Sequence, residues 1–161
     1  MVVAYIGLGS NLDDPGARIT SALQSISRIP ATTFLRCSSR YHSRPQGPRD
    51  QPDYINAVAQ VDTRLSAGQL LECLLAIEKQ QGRVRTRRWG PRTLDLDLLL
   101  FGDAVLRSDT LTVPHPEMHR RAFVLYPLHE IAPDIEIPGY GRIGLLLRGV
   151  DPDAVEKLEQ E

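Results

Sequence analysis

Residues 83–101 constrain the fold more than any other part of the chain. The first ten of them hold five arginines around Trp89, and the stretch from residue 94 alternates leucine with aspartate before becoming wholly apolar. Because successive side chains of a strand point to opposite faces, Asp95 and Asp97 share one face and the intervening leucines share the other. The pattern predicts a strand in the centre of a sheet, with both carboxylates near its exposed beginning.

The two aspartates and the arginines together indicate a kind of chemistry. Carboxylates two residues apart on a strand lie about 6 to 7 Å apart, and they repel unless a cation lies between them. Oxygen ligands with no His or Cys close in sequence favour Mg²⁺ over Zn²⁺, and the arginine fork matches phosphate oxygens. A solvated strand edge and a solvated basic loop are the plain alternatives. Their combination favours Mg²⁺-dependent phosphoryl transfer.

Hydrophobic periodicity along the rest of the chain predicts further strands and helices. Strands are expected at residues 2–8, 32–43 and 54–61, with short apolar runs at 105–106 and 111–113. Helices are expected to begin near Asp14-Pro15 and end before Pro30, to run over 66–80, and to run over 117–129. In the second helix the residues expected to face inward are Leu70, Leu71, Leu74, Leu75 and Ile77.

The order of the elements predicts an α+β fold. The sequence β-α-β-β-α-β with antiparallel connections is typical of a ferredoxin-like sandwich, an antiparallel sheet with helices packed on it. A chain of 161 residues is most simply one domain, so residues 1–161 are expected to form a single unit. This fold serves RNA-binding modules, phosphatases and kinases alike, so it does not decide function.

Three smaller features bear on ligand binding. Gly7 and Gly9 follow a strand as in a dinucleotide-binding turn, but Leu12 stands where that motif has its third glycine, so residues 9–11 are interpreted as a simple turn. His115 lies between two prolines, a placement that suits a ligand contact, although a loop histidine is more often merely solvated. Glu78 lies in the last turn of its helix, where a carboxylate is unfavourable against the helix dipole.

Composition excludes some classes of protein. The formal net charge is -1, so a sequence-independent nucleic-acid binder is not expected. No apolar run is long enough to span a membrane, and no signal peptide is apparent. Cys37 and Cys73 are isolated and lack metal-ligand spacing, so both are interpreted as packing residues of a reducing compartment. We therefore expect a cytoplasmic protein with no nucleic-acid and no membrane partner.

The motif Arg-Trp-Gly-Pro-Arg-Thr-Leu-Asp-Leu-Asp at residues 88–97 resembles the signature of the 6-hydroxymethyl-7,8-dihydropterin pyrophosphokinases of folate synthesis. The resemblance covers most of the chain, and its matches come in the right order. They include the segments 9–11, 47–56, 78–85, 111–115 and 121–123. The family's fold is a ferredoxin-like sandwich, so the resemblance and the periodicity predict the same architecture.

The resemblance implies transfer of the β,γ-pyrophosphate of ATP, the co-substrate, to the pterin hydroxymethyl group. As catalytic residues it implies Asp95 and Asp97, which would hold two Mg²⁺ ions, and Arg83 and Arg92, which would grip the phosphates. The residues implied to bind ATP are Glu78, Arg83, Arg85, Arg88, Arg92, Leu98, Thr112, His115 and Arg121. The residues implied to bind the pterin are Ser43, Gln46, Tyr54, Asn56, Trp89, Asp95 and Phe123. The expected partners are these small molecules, and the protein is expected to be a monomer.

Two alternatives remain open at this point. Another Mg²⁺-dependent phosphoryl or nucleotidyl transferase could use Asp95 and Asp97, and only its products would distinguish it. An RNA-binding module on the same fold would require aromatic residues displayed on the sheet and a basic surface, which this sequence does not offer. The chain also departs from the family pattern around both substrates, at Arg44, Gln46, Leu75, Thr110 and Pro116.

Overall fold

The computed structural model describes residues 1–11, 14–43, 53–82 and 94–158. Ten strands are found within these ranges: β1 (Val2–Ser10), β2 (Thr32–Cys37), β3 (Tyr41–Ser43), β4 (Tyr54–Thr63), β5 (Leu94–Phe101), β6 (Leu106–Arg107), β7 (Thr112–Val113), β8 (Glu136–Ile137), β9 (Gly141–Arg142) and β10 (Val155–Lys157). The α-helices there are α1 (Pro15–Ile26), α2 (Ala67–Gly82), α3 (Ala122–Ile131) and α4 (Ile143–Leu146). Short 3-10 turns lie at Met118–Arg120, Leu147–Gly149 and Pro152–Ala154.

One six-stranded antiparallel sheet organises the described residues. Its order is β10-β3-β4-β1-β5. Strand β2 also pairs with β4, along residues 59–63, whereas β3 pairs with residues 54–56. Helices α1 and α2 pack on one face, where Ile6, Leu70 and Leu96 belong to a first hydrophobic core. Helices α3 and α4 pack on the other face, where Val58, Leu99 and Leu125 belong to a second core. The predicted α+β architecture of ferredoxin-like kind, an antiparallel sheet carrying helices, is confirmed.

Strand β5 was predicted to be central, and this prediction is wrong because β5 pairs only with β1, at the edge of the described sheet. Its apolar run was misleading because β5 contributes to both cores. Leu94, Leu96 and Leu98 enter the first core, while Leu99 and Leu100 enter the second. An edge strand covered by helices on both faces has the same composition as a central one.

The strand predicted at 32–43 is divided in the structure into β2 and β3. Both pieces pair antiparallel with β4. At the break, the Ser38 hydroxyl accepts a hydrogen bond from the backbone N–H of Val58 at 3.0 Å, in place of a backbone carbonyl. The next residue, Ser39, directs its N–H to the carboxylate of Glu130, 2.9 Å away. The Ser38 side chain therefore replaces one backbone acceptor of the ladder, and the Ser39 N–H is satisfied by a distant helix.

The remaining differences have local causes. The turn expected at 9–11 begins later, because Gly9 and Ser10 still pair with β4 and β5. Helix α2 begins as predicted after Ser66, which forms a capping box with Gln69. Leu75 was predicted to face inward but is 51% exposed, since the buried stripe follows Leu70, Leu74 and Ile77. The helix predicted over 117–129 is a 3-10 turn and α3, separated at Arg121, whose backbone is extended.

Candidate active site

A cavity of about 210 Å³ opens on the side of the sheet that carries α3. Residues from β1, β3, β4, β5 and α3 line it: Gly7, Leu8, Gly9, Ser43, Tyr54, Asn56, Ala57, Asp95, Asp97, Arg121, Phe123 and Val124. Strand β1 explains why the space is empty. Its alternate residues Tyr5, Gly7 and Gly9 share one face, and the two glycines have no side chains to fill it.

The pairing register places the polar groups around Gly9. Gly9 is paired with Asn56 of β4 on one side and with Asp95 of β5 on the other. Gly7, two residues earlier, is paired with Asp97 on β5. Asn56, Gly9 and Asp95 therefore form one row across three strands, and Asp97 lies one row further along. The alternation that predicted a shared face for the two aspartates is observed, and the face is the one that lines the cavity.

The side chain of Asn56 is fixed by its neighbours. It is 6% exposed, and its Oδ1 accepts a hydrogen bond from the Ser43 hydroxyl at 2.6 Å. A Cβ added at Gly9 would lie 2.9 Å from Nδ2 of Asn56, so any other residue at position 9 would displace this amide. With Oδ1 occupied by Ser43, the Nδ2 group is available as a hydrogen-bond donor to a ligand.

Glu78 adds a third carboxylate close to the aspartate pair. Helix α2 continues to Gly82, two residues beyond the predicted end, so Glu78 lies just before the last turn rather than in it. Its Oε2 accepts the N–H of Leu96 at 2.7 Å. Burial raises the pKa of Glu78, the Leu96 hydrogen bond opposes that rise, and the charges of Asp95 and Asp97 add to it. The unfavourable position noted in the sequence therefore has a structural use, since Glu78 satisfies a donor on the open edge of β5.

His115 is attached to β5 beside the aspartates. Its backbone N–H donates to the carbonyl of Leu99 at 2.9 Å, and its Nδ1 accepts the N–H of Glu117 at 3.1 Å. Burial lowers the pKa of His115, Arg121 also lowers it, and Asp97 acts in the opposite direction. The ring is therefore neutral near pH 7, and because Nδ1 is an acceptor its proton is on Nε2.

Aromatic and cationic groups come from two further elements. Tyr54 is the first residue of β4, and Phe123 lies in the first turn of α3. Arg121, just before that helix, has its guanidinium carbon 5.5 Å from the centre of the Phe123 ring. Both aromatic rings and this guanidinium line the same cavity as the aspartates.

Seven of the residues that the sequence singled out therefore meet at one cavity: Ser43, Tyr54, Asn56, Asp95, Asp97, Arg121 and Phe123. Glu78 and His115 lie beside the aspartates without lining it. Thr112 is half-buried in β7, and Leu98 is 4% exposed in the first core, so only its backbone could reach a ligand. The remaining predicted residues lie outside the described ranges: Gln46, Arg83, Arg85, Arg88, Trp89 and Arg92.

Sequence reasoning missed part of the cavity wall: Gly7, Leu8, Gly9, Ala57 and Val124. The two glycines did give a signal, because glycine is disfavoured inside a strand and often marks the close approach of another group. A dinucleotide-binding turn is only one of the structures that such a pair of glycines can indicate. The cavity has no counterpart of such a turn, because residues 7–10 are paired on both sides within the sheet.

The donor set suits a hard cation. The two aspartates offer carboxylate oxygens on one face of β5, and both line the cavity. Within residues 1–11, 14–43, 53–82 and 94–158, no group of three His, Cys, Asp or Glu side chains is arranged around a common point. Nor does any helix in these ranges combine the length and apolarity needed to cross a bilayer.

Comparison with known proteins places the chain among enzymes of one kind. Residues 5–133 match the family model of 7,8-dihydro-6-hydroxymethylpterin-pyrophosphokinase. A relative from Haemophilus influenzae is 53% identical over 138 residues, which are 86% of this chain and 86% of that protein. One from Pseudomonas aeruginosa is 49% identical over 154 residues, 96% of this chain and 95% of that protein. Both are named 2-amino-4-hydroxy-6-hydroxymethyldihydropteridine pyrophosphokinase.

Solved structures with the same fold are more distant in sequence. The wild-type Plasmodium falciparum HPPK-DHPS with pteroate superposes with a TM-score of 0.72 at 11% identity, over 91% of this chain and 44% of that chain. A second HPPK-DHPS structure, in complex with substrates, gives a TM-score of 0.71 at 12% identity, over 92% of this chain and 45% of that chain. The chain thus spans less than half the length of these neighbours, and they support the fold alone.

Proposed function

The chain belongs to the 7,8-dihydro-6-hydroxymethylpterin-pyrophosphokinase family, and on that premise we propose which of its residues carry the family's reaction. The protein is an enzyme of folate biosynthesis that transfers pyrophosphate from ATP to the hydroxymethyl group of the pterin. One observation supports the residue assignment most strongly. Two carboxylates, two aromatic rings and a buried, oriented amide, drawn from separate elements, line a single cavity.

Asp95 and Asp97 are proposed as the metal ligands. They fit Mg²⁺ because both are hard oxygen donors on one face of β5, and both line the cavity. Asp95 and Asp97 would hold two Mg²⁺ ions there, and the ions would supply positive charge that offsets the charge developing during transfer. The number of ions follows from the family resemblance. Glu78 contributes by holding the N–H of Leu96, between the two aspartates, in a fixed position.

The pterin is proposed to lie in the cavity between the sheet and α3. Tyr54 and Phe123 offer the aromatic faces that a flat heterocycle stacks on. Asn56 presents Nδ2 as a donor to the acceptor edge of the ring, because Ser43 occupies its Oδ1. Asp95, in the same row of the sheet as Asn56, lies beside the acceptor hydroxyl in this arrangement.

The phosphates of ATP are proposed to approach the aspartates from the side of His115 and Arg121. The neutral His115 ring offers Nε2–H, and Arg121 offers a permanent positive charge. Thr112 and the backbone of Leu98 are proposed to contact the nucleotide. Further contacts are proposed from the family resemblance for residues outside the described ranges. Those with the phosphates of ATP come from Arg83, Arg85, Arg88 and Arg92, and those with the pterin come from Trp89 and Gln46.

Four broader properties belong to the same proposal. Residues 1–161 form one pyrophosphokinase domain, which is supported by a family match over residues 5–133 and by one main sheet that carries both cores. The protein acts as a cytoplasmic monomer without a nucleic-acid partner. The net charge of -1 supports the last point, and the small-molecule substrates require no second subunit.

Separate affinities for the two substrates test the assignment of the cavity. Replacing Phe123 or Tyr54 by Ala removes stacking area and should weaken pterin binding by about 1 to 3 kcal/mol, with ATP affinity changed far less. Tyr140→Ala removes an aromatic that is 41% exposed and lies outside the cavity, and serves as the control. Titration calorimetry measures each affinity. Equal losses for both ligands would mean that these aromatics support the core rather than the pterin.

A further inference from the structure

Glu130 lies in the last turn of α3 and is not part of the cavity. Its Oε2 accepts two hydrogen bonds from Ser39, one from the backbone N–H and one from the hydroxyl, both at 2.9 Å. Its Oε1 accepts the Tyr41 hydroxyl at 2.6 Å, and the Lys157 ammonium of β10 lies 3.9 Å from the same oxygen. Three donors and one cation therefore converge on a single carboxylate, and they come from two elements distant in sequence.

This carboxylate opposes the intrinsic preference of its helix. A negative charge in the last turn of a helix faces the negative end of the dipole, so an isolated α3 would be slightly weakened by it. The partners offset that cost only when β3 and the preceding Ser39 are in place. The carboxylate is therefore a tertiary contact, and its position in the helix determines what the contact can control.

Helix α3 connects Glu130 directly to the cavity. Phe123 and Glu130 are seven residues apart, which is about 10.5 Å along the axis and within about 20° of two full turns. Both side chains consequently leave the same face of α3. One lines the cavity, and the other is bonded to the segment 39–41.

Strand β3 provides the matching connection on the other side. Tyr41 and Ser43 are two residues apart in an extended strand, so their side chains share a face about 6.6 Å apart. Tyr41 donates to Glu130, and Ser43 donates to Asn56 at the cavity. The helix and the strand are therefore joined by the bond between Glu130 and Tyr41 at one end, while at the other end Phe123 and Ser43 line the same cavity.

We propose that Glu130 is a positioning residue for the pterin site, which sets the distance between the aromatic wall on α3 and the Ser43–Asn56 wall on the sheet. This inference rests on the proposed function. The C-terminal strand takes part, because β10 pairs with β3 throughout and places Lys157 against both Tyr41 and Glu130. A helix held at one end by a carboxylate with several partners cannot rotate away from β3 without breaking those bonds.

The test compares pterin and ATP affinities of Glu130→Ala, measured by calorimetry well below the melting temperature so that only folded protein contributes. Pterin affinity should fall about 3- to 30-fold, the range expected for a residue coupled to a site it does not touch, with ATP affinity changed less than twofold. Glu72→Gln is the control, since Glu72 is exposed on α2 and bonds to no other residue that the structure describes. An unchanged pterin affinity would overturn the proposal, even with a lowered melting temperature.

A double-mutant comparison distinguishes positioning from general destabilisation. In a Phe123→Ala background, the Glu130→Ala change should cost little further pterin affinity, because the wall that Glu130 positions is gone. Additive losses would overturn the proposal. If Glu130→Ala does not fold, Tyr41→Phe and Ser39→Ala each remove one donor and should give smaller losses in the same direction.

The same data distinguish the failure of this inference from the failure of the proposed function. If wild-type protein binds the pterin but Glu130→Ala binds it equally well, the positioning role alone is wrong. If Phe123→Ala and Tyr54→Ala also leave pterin binding unchanged, the cavity assignment is wrong. Either result counts against the positioning role.

Discussion

Gly9 is the residue whose absence of a side chain matters most for the cavity. It lies between Asn56 and Asp95 in the sheet, and a Cβ there would meet Nδ2 of Asn56 at 2.9 Å. The amide has little room to move, because Asn56 is buried and held by Ser43. The requirement for glycine at position 9 is therefore spatial.

Replacing Gly9 by Ala should lower pterin affinity by about 1 to 2 kcal/mol through the displaced hydrogen-bond donor. Gly68→Ala provides a matched control, since nothing lies within 4 Å of a Cβ at that position in α2. That change should leave binding unchanged and stabilise the helix by about 0.5 to 1 kcal/mol. Pterin titrations and thermal melts of both variants measure these effects. Normal pterin affinity in Gly9→Ala would mean that Asn56 does not contact the ligand.

Asp97 is the carboxylate whose loss should affect turnover without harming the fold. Asp97→Asn keeps the shape of the side chain but removes a metal ligand and relieves repulsion with Asp95. Steady-state activity should fall by more than tenfold, about 1.4 kcal/mol in the barrier, while the melting temperature stays equal or rises. Asp103→Asn, an exposed position after β5, should change neither quantity. Activity retained above a tenth would remove Asp97 from the metal site.

At the level of elements, α2 and α3 share an unusual feature. Each carries a glutamate close to its C-terminal end, and each glutamate accepts hydrogen bonds from the sheet: Glu78 from Leu96 of β5, and Glu130 from Tyr41 of β3 and from Ser39 just before it. A charge placed against the helix dipole is a sequence signal that a tertiary partner exists. It does not identify the partner, because the strand involved is distant along the chain.

The Glu130 contact should make stability depend on pH. Burial alone would raise the pKa of Glu130, but the hydrogen bonds from Tyr41 and Ser39 and the charge of Lys157 outweigh it, and the pKa lies below its ordinary value of 4.5. A carboxyl group with a lowered pKa stabilises the folded state above its ordinary pKa, and this contribution is lost as pH falls through the folded value.

Denaturant unfolding of the wild type and of Glu130→Gln at two pH values measures that contribution. The wild type should be the more stable protein at pH 7, and the difference should shrink as the pH falls below 4.5 and through the lowered pKa of Glu130 in the folded state. Glu72→Gln should match the wild type at both pH values. A difference that does not change with pH would mean that packing, rather than the charge of Glu130, accounts for it.

Much of the fold could be predicted from local sequence patterns, because the spacing of apolar residues indicates which face of a helix or strand is buried. The shared face of Asp95 and Asp97 and the inward positions of Leu70, Leu74 and Ile77 on α2 follow from spacing alone. The edge position of β5 and the break at Ser38 do not, because both depend on contacts with distant elements. The roles of the site residues come from the family resemblance. The structure shows in addition that Gly7 and Gly9 line the cavity and that Glu130 bonds α3 to the segment 39–41.

At the level of the whole molecule, the two faces of the sheet have different tasks. The face toward α1 and α2 is continuously apolar and provides most of the buried hydrophobic residues. The face toward α3 is interrupted at Gly7 and Gly9, and the cavity occupies that interruption. Because the cavity lies on the face opposite the first core, the sheet can bind a substrate there without losing packing in that core.

Product analysis of the purified protein with ATP, Mg²⁺ and 6-hydroxymethyl-7,8-dihydropterin tests this description of the enzyme most directly. Chromatography with mass detection should find AMP and the pterin diphosphate in equal amounts, with neither formed when the pterin or Mg²⁺ is left out. ADP with a monophosphorylated pterin would indicate a simple kinase. Free pyrophosphate with a nucleotidylated acceptor would indicate a nucleotidyl transferase, and either result would contradict pyrophosphate transfer at the Asp95–Asp97 site.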